Sequence, residues 1–141
     1  MENLNLFGSL LIEDTKWLQE NGSQEVVNGG EALIINNVSQ LNIYFVIKGI
    51  FKVLVDSKSP IPIAILGPGE IIGESSLIDK ESSSAIVVAV DKSLVLKIDG
   101  KVIMQHIDKN PTFGLRLYKG LYKITVERLR NTNRQLSHSY I

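Results

Sequence analysis

Polar and apolar positions change rhythm three times along this chain. Over residues 12–21, Ile12, Trp17 and Leu18 supply the apolar positions and Glu13 and Asp14 occupy the first turn, where a helix dipole favours acids. Asn21-Gly22 follows as a stop signal, so a short leading helix is predicted. From about residue 25 to 99 the texture becomes short runs of β-branched and aliphatic residues at 32–36, 43–48, 50–56, 61–66, 85–90 and 94–98. Gly, Pro, Asp and Ser clusters separate them, the pattern of strands and turns.

The breaks have nameable chemistry. Gly49 lies between two apolar runs and is expected to supply a positive φ in a tight hairpin. Asp56-Ser57-Lys58-Ser59-Pro60 reads as a polar loop and Gly67-Pro68-Gly69-Glu70 as a compact turn. Successive strands are therefore expected to be mostly antiparallel. Short strands at this spacing without intervening long helices predict a sandwich, roll or barrel and exclude a doubly wound sheet.

Beyond Asp99 the period becomes helical. Asp99 can cap a helix running to about Asn110, with Val102, Ile103, Met104 and Ile107 on its buried side, and Pro111 is suited to open the next one. The trailing helices are placed at about 100–136, and Gly114 and Gly120 weaken the second by about 1 kcal/mol each. That helix carries two apolar stripes. Phe113, Leu117, Leu121 and Ile124 form one; Leu115, Tyr122, Leu129 and Leu136, spaced by seven, form the other with Tyr118 and Val126 beside them. Either both stripes pack on the roll, or the seven-residue stripe meets a second subunit. The second reading predicts a homodimer through Leu115, Tyr118, Tyr122, Leu129 and Leu136.

With 141 residues, 44% of them hydrophobic and 21% charged, the chain fits a single domain over 1–141 with its own core. The absence of cysteine excludes disulfides and thiolate chemistry. Only His106 and His138 are available as imidazole ligands, both in or beyond the trailing helices, so no metal site is expected and His106 is read as an ordinary helix-surface residue. No Gly-x-Ser-x-Gly elbow or phosphate-loop motif occurs, and no catalytic residue is assigned. The net charge of zero hides a gradient. Residues from Pro111 onward hold six basic side chains against one acid, a net of +5 that balances −5 in the body. These charges are read as a solvated helix face without specific DNA binding, and with five residues after Leu136 no helix-turn-helix is expected to follow. No basic leader and no apolar run of membrane-spanning length is present, which predicts a cytoplasmic protein without membrane contact.

The segment Pro68-Gly69-Glu70-Ile71-Ile72-Gly73-Glu74-Ser75-Ser76-Leu77, followed by Ser82-Ser83-Ser84-Ala85-Ile86-Val87, resembles the phosphate-binding cassette of cyclic nucleotide-binding domains. Gly29-Gly30-Glu31 and Phe45-Val46-Ile47-Lys48-Gly49 match two further glycine-centred landmarks of that family, and the resemblance spans about residues 5 to 136. It implies a mainly β fold, a double-stranded β-helix or jelly-roll-like β-roll with one N-terminal helix and two C-terminal helices. By resemblance, Gly73, Glu74, Ser75, Ser76, Ser83 and Ser84 line a ligand site. Glu74 would accept a hydrogen bond from a ribose hydroxyl, and amides near Ser76 and Ser84 would face the phosphate. The family usually places an arginine ten residues after this glycine, where the chain has Ser83, so the main charged partner of a phosphate is missing. Ser75, Ser76, Ser82, Ser83, Ser84 and Lys80 supply other donors in or near the cassette. Two functional readings follow. One is a module sensing a cyclic nucleotide or other small anion and signalling through its last helix. The other is a ligand-free dimerisation or protein-docking scaffold with a decayed pocket.

Overall fold

The computed structural model describes residues 2–6, 8–34, 41–55, 61–73 and 86–139, with side chains through 131 in the last segment. A single turn of 3-10 helix, Glu2–Asn5, precedes α1 (Ile12–Asn21). The strands are β1 (Ser23–Val27), β2 (Ala32–Ile34), β3 (Asn42–Lys48), β4 (Phe51–Leu54), β5 (Ala64–Leu66), β6 (Ile71–Ile72), β7 (Ile86–Ala89) and β8 (Ser93–Asp99). Helices α2 (Gly100–Lys109) and α3 (Pro111–Ser139) close the chain.

Among the described residues the strands form two antiparallel sheets, ordered β1-β8-β3-β6 and β2-β7-β4-β5. The mainly β jelly-roll class with one leading and two trailing helices is thus the one the sequence predicts. Sheet neighbours, however, are mostly distant in sequence. Of consecutive strands only β4 and β5 pair, since β3 pairs with β6 and β8 while β4 pairs with β5 and β7. The Gly49 turn is therefore not a hairpin. Gly49 does have a positive φ of 98°, but the chain crosses there from one sheet to the other, and Ile50 accepts a hydrogen bond from Val90 N–H in the second sheet at 2.8 Å.

Strand β3 explains why its sequence is an unbroken apolar run. Ile43, Phe45 and Ile47 face the helices, packing with Leu18, Leu96, Ile98, Ile103, Phe113 and Leu117, whereas Tyr44 and Val46 point between the sheets against Phe51, Leu66, Val87 and Val95. A strand buried on both faces has no polar side to alternate with. Strand β1, with Ser23-Gln24-Glu25 ahead of two valines, is an edge strand whose first four residues are not buried, and it and the two-residue β6 fall outside the apolar runs that mark the others.

Helix α3 resolves its two stripes. Phe113, Leu117, Leu121 and Ile124 are buried on the helical side of the core, while Leu115 (59% exposed), Tyr118, Tyr122 (71%) and Leu129 (59%) face outward. The Leu136 side chain lies outside the described residues. Both glycines of α3 are docking notches. A Cβ at Gly114 would lie 2.8 Å from Ile107 Cγ2, and one at Gly120 would lie 2.9 Å from Leu6 Cβ. The helix propensity they sacrifice is exchanged for close approach to α2 and to the N-terminal segment.

His106 corrects another expectation. It is half-buried rather than on an open surface, stacked on Trp17 at 3.8 Å between centroids with Phe113 edge-on at 4.7 Å. Burial pushes its pKa below the ordinary 6.5, against the opposing pull of the Asp14 carboxylate and with a contribution from Lys109. Beside it, Asp14 accepts from Leu11 N–H at 2.8 Å and takes both arms of Arg116, Nε at 2.7 Å and Nη2 at 2.8 Å. Burial alone would raise the Asp14 carboxyl, but these partners outweigh it and hold it below 3.8. The two groups give a pH dependence of known sign. The unfolded chain binds a proton at His106 more readily than the folded one, so stability is full above pH 6.5 and falls as pH drops below it. The Asp14 contribution is present above pH 3.8 and is lost on further acidification through its folded value. Urea unfolding between pH 7 and 5 should show this first slope, and His106→Phe should flatten it; an unchanged slope counts against the assignment.

Candidate functional site

The segment leading into the predicted cassette is fixed by its own turn. Pro68 and Gly69 are the central residues of a type II turn, Gly69 having φ 91°, and Glu70 N–H donates to Gly67 O at 3.2 Å. The Glu70 carboxylate returns to accept Gly67 N–H through Oε2 at 2.7 Å. Two further bonds seat the turn on β3: Val46 N–H to Glu70 O at 2.9 Å and Gly69 N–H to Val46 O at 3.1 Å. The turn Asn28-Gly29-Gly30-Glu31 is built the same way. Gly30 has φ 88°, Glu31 N–H donates to Asn28 O at 3.0 Å, and Gly29 and Gly30 lie against β7 and the turn after it. The two Gly-Glu landmarks are thus structural corners.

From the 67–70 turn the chain enters β6, where Ile71 and Ile72 register against Phe45 and Tyr44. It leaves at Gly73 with φ 89°, a left-handed conformation that glycine adopts without strain. Of the predicted ligand residues, Gly73 is the one the structure describes; Glu74, Ser75, Ser76, Ser83 and Ser84 lie outside the described residues. The chain is described again from Ile86, which registers with Leu54 at the start of β7.

Against this turn lies the second half of α3. Arg128 Nη2 reaches Glu70 Oε1 at 3.3 Å, so the two oxygens of one carboxylate serve the turn and the helix. A cleft of about 490 Å³ opens between them, lined by Ile65, Glu70, Tyr122, Ile124, Val126 and Arg128 among others. The basic face of α3 is accordingly less free than its composition implies. Arg116 is bound to Asp14, Arg128 to Glu70, and Arg130 to Glu127 at 2.9 Å. Neither Glu70 nor Arg128 was identifiable as a pair from sequence, because 58 residues separate them. Among the described residues no three His, Cys, Asp or Glu side chains converge as a metal site, and no helix is long and apolar enough to cross a membrane.

Known proteins resemble this chain in sequence and in fold. The chain is similar to the Pycsar effector proteins BcPycTIR of Burkholderia cepacia (30% identical over 108 residues, 76% of this chain and 35% of that protein) and PaPycTIR of Pseudomonas aeruginosa (29% over 131 residues, 88% and 40%). It therefore spans little more than a third of the length of these relatives. Among solved structures, a cyclic nucleotide-binding domain from Methylobacillus flagellatus superposes with a TM-score of 0.81 at 23% identity, covering 98% of this chain and 80% of that one. The catabolite activator protein of Thermus thermophilus superposes with 0.69 at 24% identity, covering 96% and 63%. The profile described as the cyclic nucleotide-binding domain matches residues 24–110, from β1 through the end of α2, and with the corners at Gly30, Gly69 and Gly73 inside that span, the chain belongs to the cyclic nucleotide-binding domain family.

Proposed function

We propose that this chain is a non-enzymatic, cytoplasmic regulatory module that takes a small anionic, nucleotide-like ligand at the segment beginning with Gly73 and Glu74 and relays occupancy through α3. The observation that carries this reading is the geometry at Gly73. A strand ends in a left-handed glycine whose approach is held by a turn bonded to β3, a defined entry to the residues proposed to offer backbone amides to an anion. Ser75, Ser76, Ser83 and Ser84 are the proposed neutral donors to that anion. The two relatives are named as effector proteins, and the chain corresponds to 35% and 40% of them, which fits a sensory part of such an effector. Titration calorimetry with cyclic AMP and cyclic GMP tests the reading, with weak binding expected from the unmodified chain. The ligand-free scaffold is favoured by one observation, Ser83 in place of the family arginine.

Output is proposed to run through a homodimer. The stripe of Leu115, Tyr118, Tyr122 and Leu129 is exposed, and its seven-residue spacing continues to Leu136. A parallel pairing of two copies would cover it. Leu129→Asp would bury an unpaired charge in that seam, which costs several kcal/mol, and should give monomers at micromolar concentration. Light scattering that finds the unmodified chain monomeric removes the dimer.

A further inference from the structure

The two sheets of the roll treat their outer faces differently. On the sheet β1-β8-β3-β6, the outward side chains Ile43, Phe45, Ile47, Leu96 and Ile98 are buried beneath this chain's own helices, packed with Leu18, Ile103, Phe113 and Leu117. On the sheet β2-β7-β4-β5, Phe51, Leu66, Val87 and Ala89 point inward to the core. Their neighbours along each strand point the other way, and the register sets Val88 beside Lys52 and Lys52 beside Ile65. Ile50 and Val90, joined by a 2.8 Å backbone bond, continue this outer face at one end, and Ile63, whose N–H reaches Val53 O at 2.8 Å, continues it at the other. A face left to water is ordinarily polar. Here Ile50 is 43% exposed, Ile63 62%, Ile65 57% and Val90 47%, and Val88 is half-buried. Lys52 is the charged residue among them, and it makes no ion pair among the described residues.

We propose that this outer face is a docking surface for an amphipathic helix of a partner protein, with the helix's apolar stripe seated on Ile50, Ile63, Ile65, Val88 and Val90 and a carboxylate beside that stripe paired with Lys52. The first sheet shows the kind of cover such a face takes, since helices lie over its equally apolar side. Charge sets the sign of the partner. In the cleft that begins at Ile65, Glu70 and Glu127 are already engaged by Arg128 and Arg130, and exposed Lys123 adds a second cation without an ion pair among the described residues. An acidic rim on the docked helix answers both lysines. A second copy of this chain answers neither. A two-fold contact brings the same patch to itself, so a second Lys52 would enter an apolar seam in which no acid stands among these outward positions. An anionic bilayer is drawn by clusters of about four to eight basic residues, whereas this sheet face carries Lys52 and no aromatic side chain. The docking uses neither the ligand segment after Gly73 nor the α3 stripe proposed for a second copy, so it stands apart from the function proposed above.

NMR titration of the ligand-free full chain with synthetic helices tests the surface. The probes are peptides with a leucine stripe flanked by glutamate at successive positions, the same peptides with lysine in place of glutamate, and vesicles of phosphatidylcholine and phosphatidylglycerol. A glutamate peptide should bind saturably, shift the amides of 50–52, 63–65 and 88–90, and leave α2 unchanged. It should bind about tenfold more tightly than its lysine counterpart, the loss expected when a charge pair at an interface is replaced by repulsion. Lys52→Glu should reverse that preference, which apolar adhesion alone does not do. Ile65→Thr should weaken both kinds of peptide alike. The proposal is overturned if no glutamate position gives saturable binding at these amides, if the two kinds of peptide bind the unmodified chain equally, or if Lys52→Glu binds a glutamate peptide as well as before. Vesicles that shift these amides where the peptides do not would assign the face to lipid. Light scattering in which Ile65→Thr dissociates a dimer would assign it to a second copy. Either result overturns the partner helix, and should Lys52→Glu fail to fold, the two kinds of peptide on the unmodified chain decide.

Discussion

Replacing Gly49 by alanine should lower the unfolding free energy by about 3 kcal/mol or more, the range reached when backbone strain and overpacking coincide. Gly49 has φ 98°, and a Cβ built on it would collide with the Ser93 side chain and stand 2.8 Å from Ser93 Cα. Ser93 cannot yield, because it is buried in β8, the strand between β1 and β3, and its hydroxyl donates to Asp91 O at 2.8 Å. Gly30→Ala is the matched control. It has φ 88° but nothing within 4 Å of the added carbon, so it should cost about 1 kcal/mol from conformation alone. Urea unfolding of both variants reads the difference, and equal losses would show that the contact with Ser93 contributes nothing. Adding Ser93→Gly to Gly49→Ala should recover only the side-chain part.

The same corner shows how far local sequence reaches. The positive φ of Gly49 was legible, since a glycine between two apolar runs signals a sharp turn. Whether the chain folds back on itself or steps to another sheet was not, because both use the same local backbone. The choice is made by a contact with Ser93, 44 residues away, and by the pairing of Ile50 with Val90. Strands β3 and β8 were visible in their apolar runs for the simple reason that both are buried on two faces. The polar start of β1 left it out of the apolar runs, as did the two-residue length of β6 between Glu70 and Gly73.

The trailing helices show the same division. Their apolar stripes were readable from spacing, and the structure assigns Phe113, Leu117, Leu121 and Ile124 to the core and leaves Leu115, Tyr118, Tyr122 and Leu129 outside. What periodicity cannot register is a long-range partner. Gly114 and Gly120 were weaknesses in a helix considered alone and are contact points in the fold. His106 was a polar residue on a helix until Trp17 and Phe113 enclosed it, and two of the arginines counted as a solvated face, Arg116 and Arg128, bind carboxylates 102 and 58 residues away. For the candidate site, the glycine corners and the family resemblance were legible, while the tie from Glu70 to α3 was not.

Ser83→Arg should raise affinity for cyclic AMP or cyclic GMP by two or more orders of magnitude over the unmodified chain. The deficit it repairs is one of charge. A cyclic phosphate carries one negative charge, Glu74 would add a like charge nearby, and Ser83 offers a neutral hydroxyl where the family places a fixed cation. Backbone amides alone must then carry the phosphate, and even the amides of a helix terminus contribute only about 0.3–2 kcal/mol, which is small beside the cost of ordering a ligand. A charge-assisted hydrogen bond contributes roughly 1.5–3 kcal/mol, so a paired set from a guanidinium restores about the deficit that two orders of magnitude represent. Ser83→Lys should recover less, since an ammonium provides a point charge without the planar fork. Titration calorimetry on the three forms separates the sensing module from the scaffold. Submicromolar binding by the unmodified chain would overturn the missing-cation argument, and no gain in the arginine variant would mean that the pocket has closed and that the module works as a ligand-free scaffold.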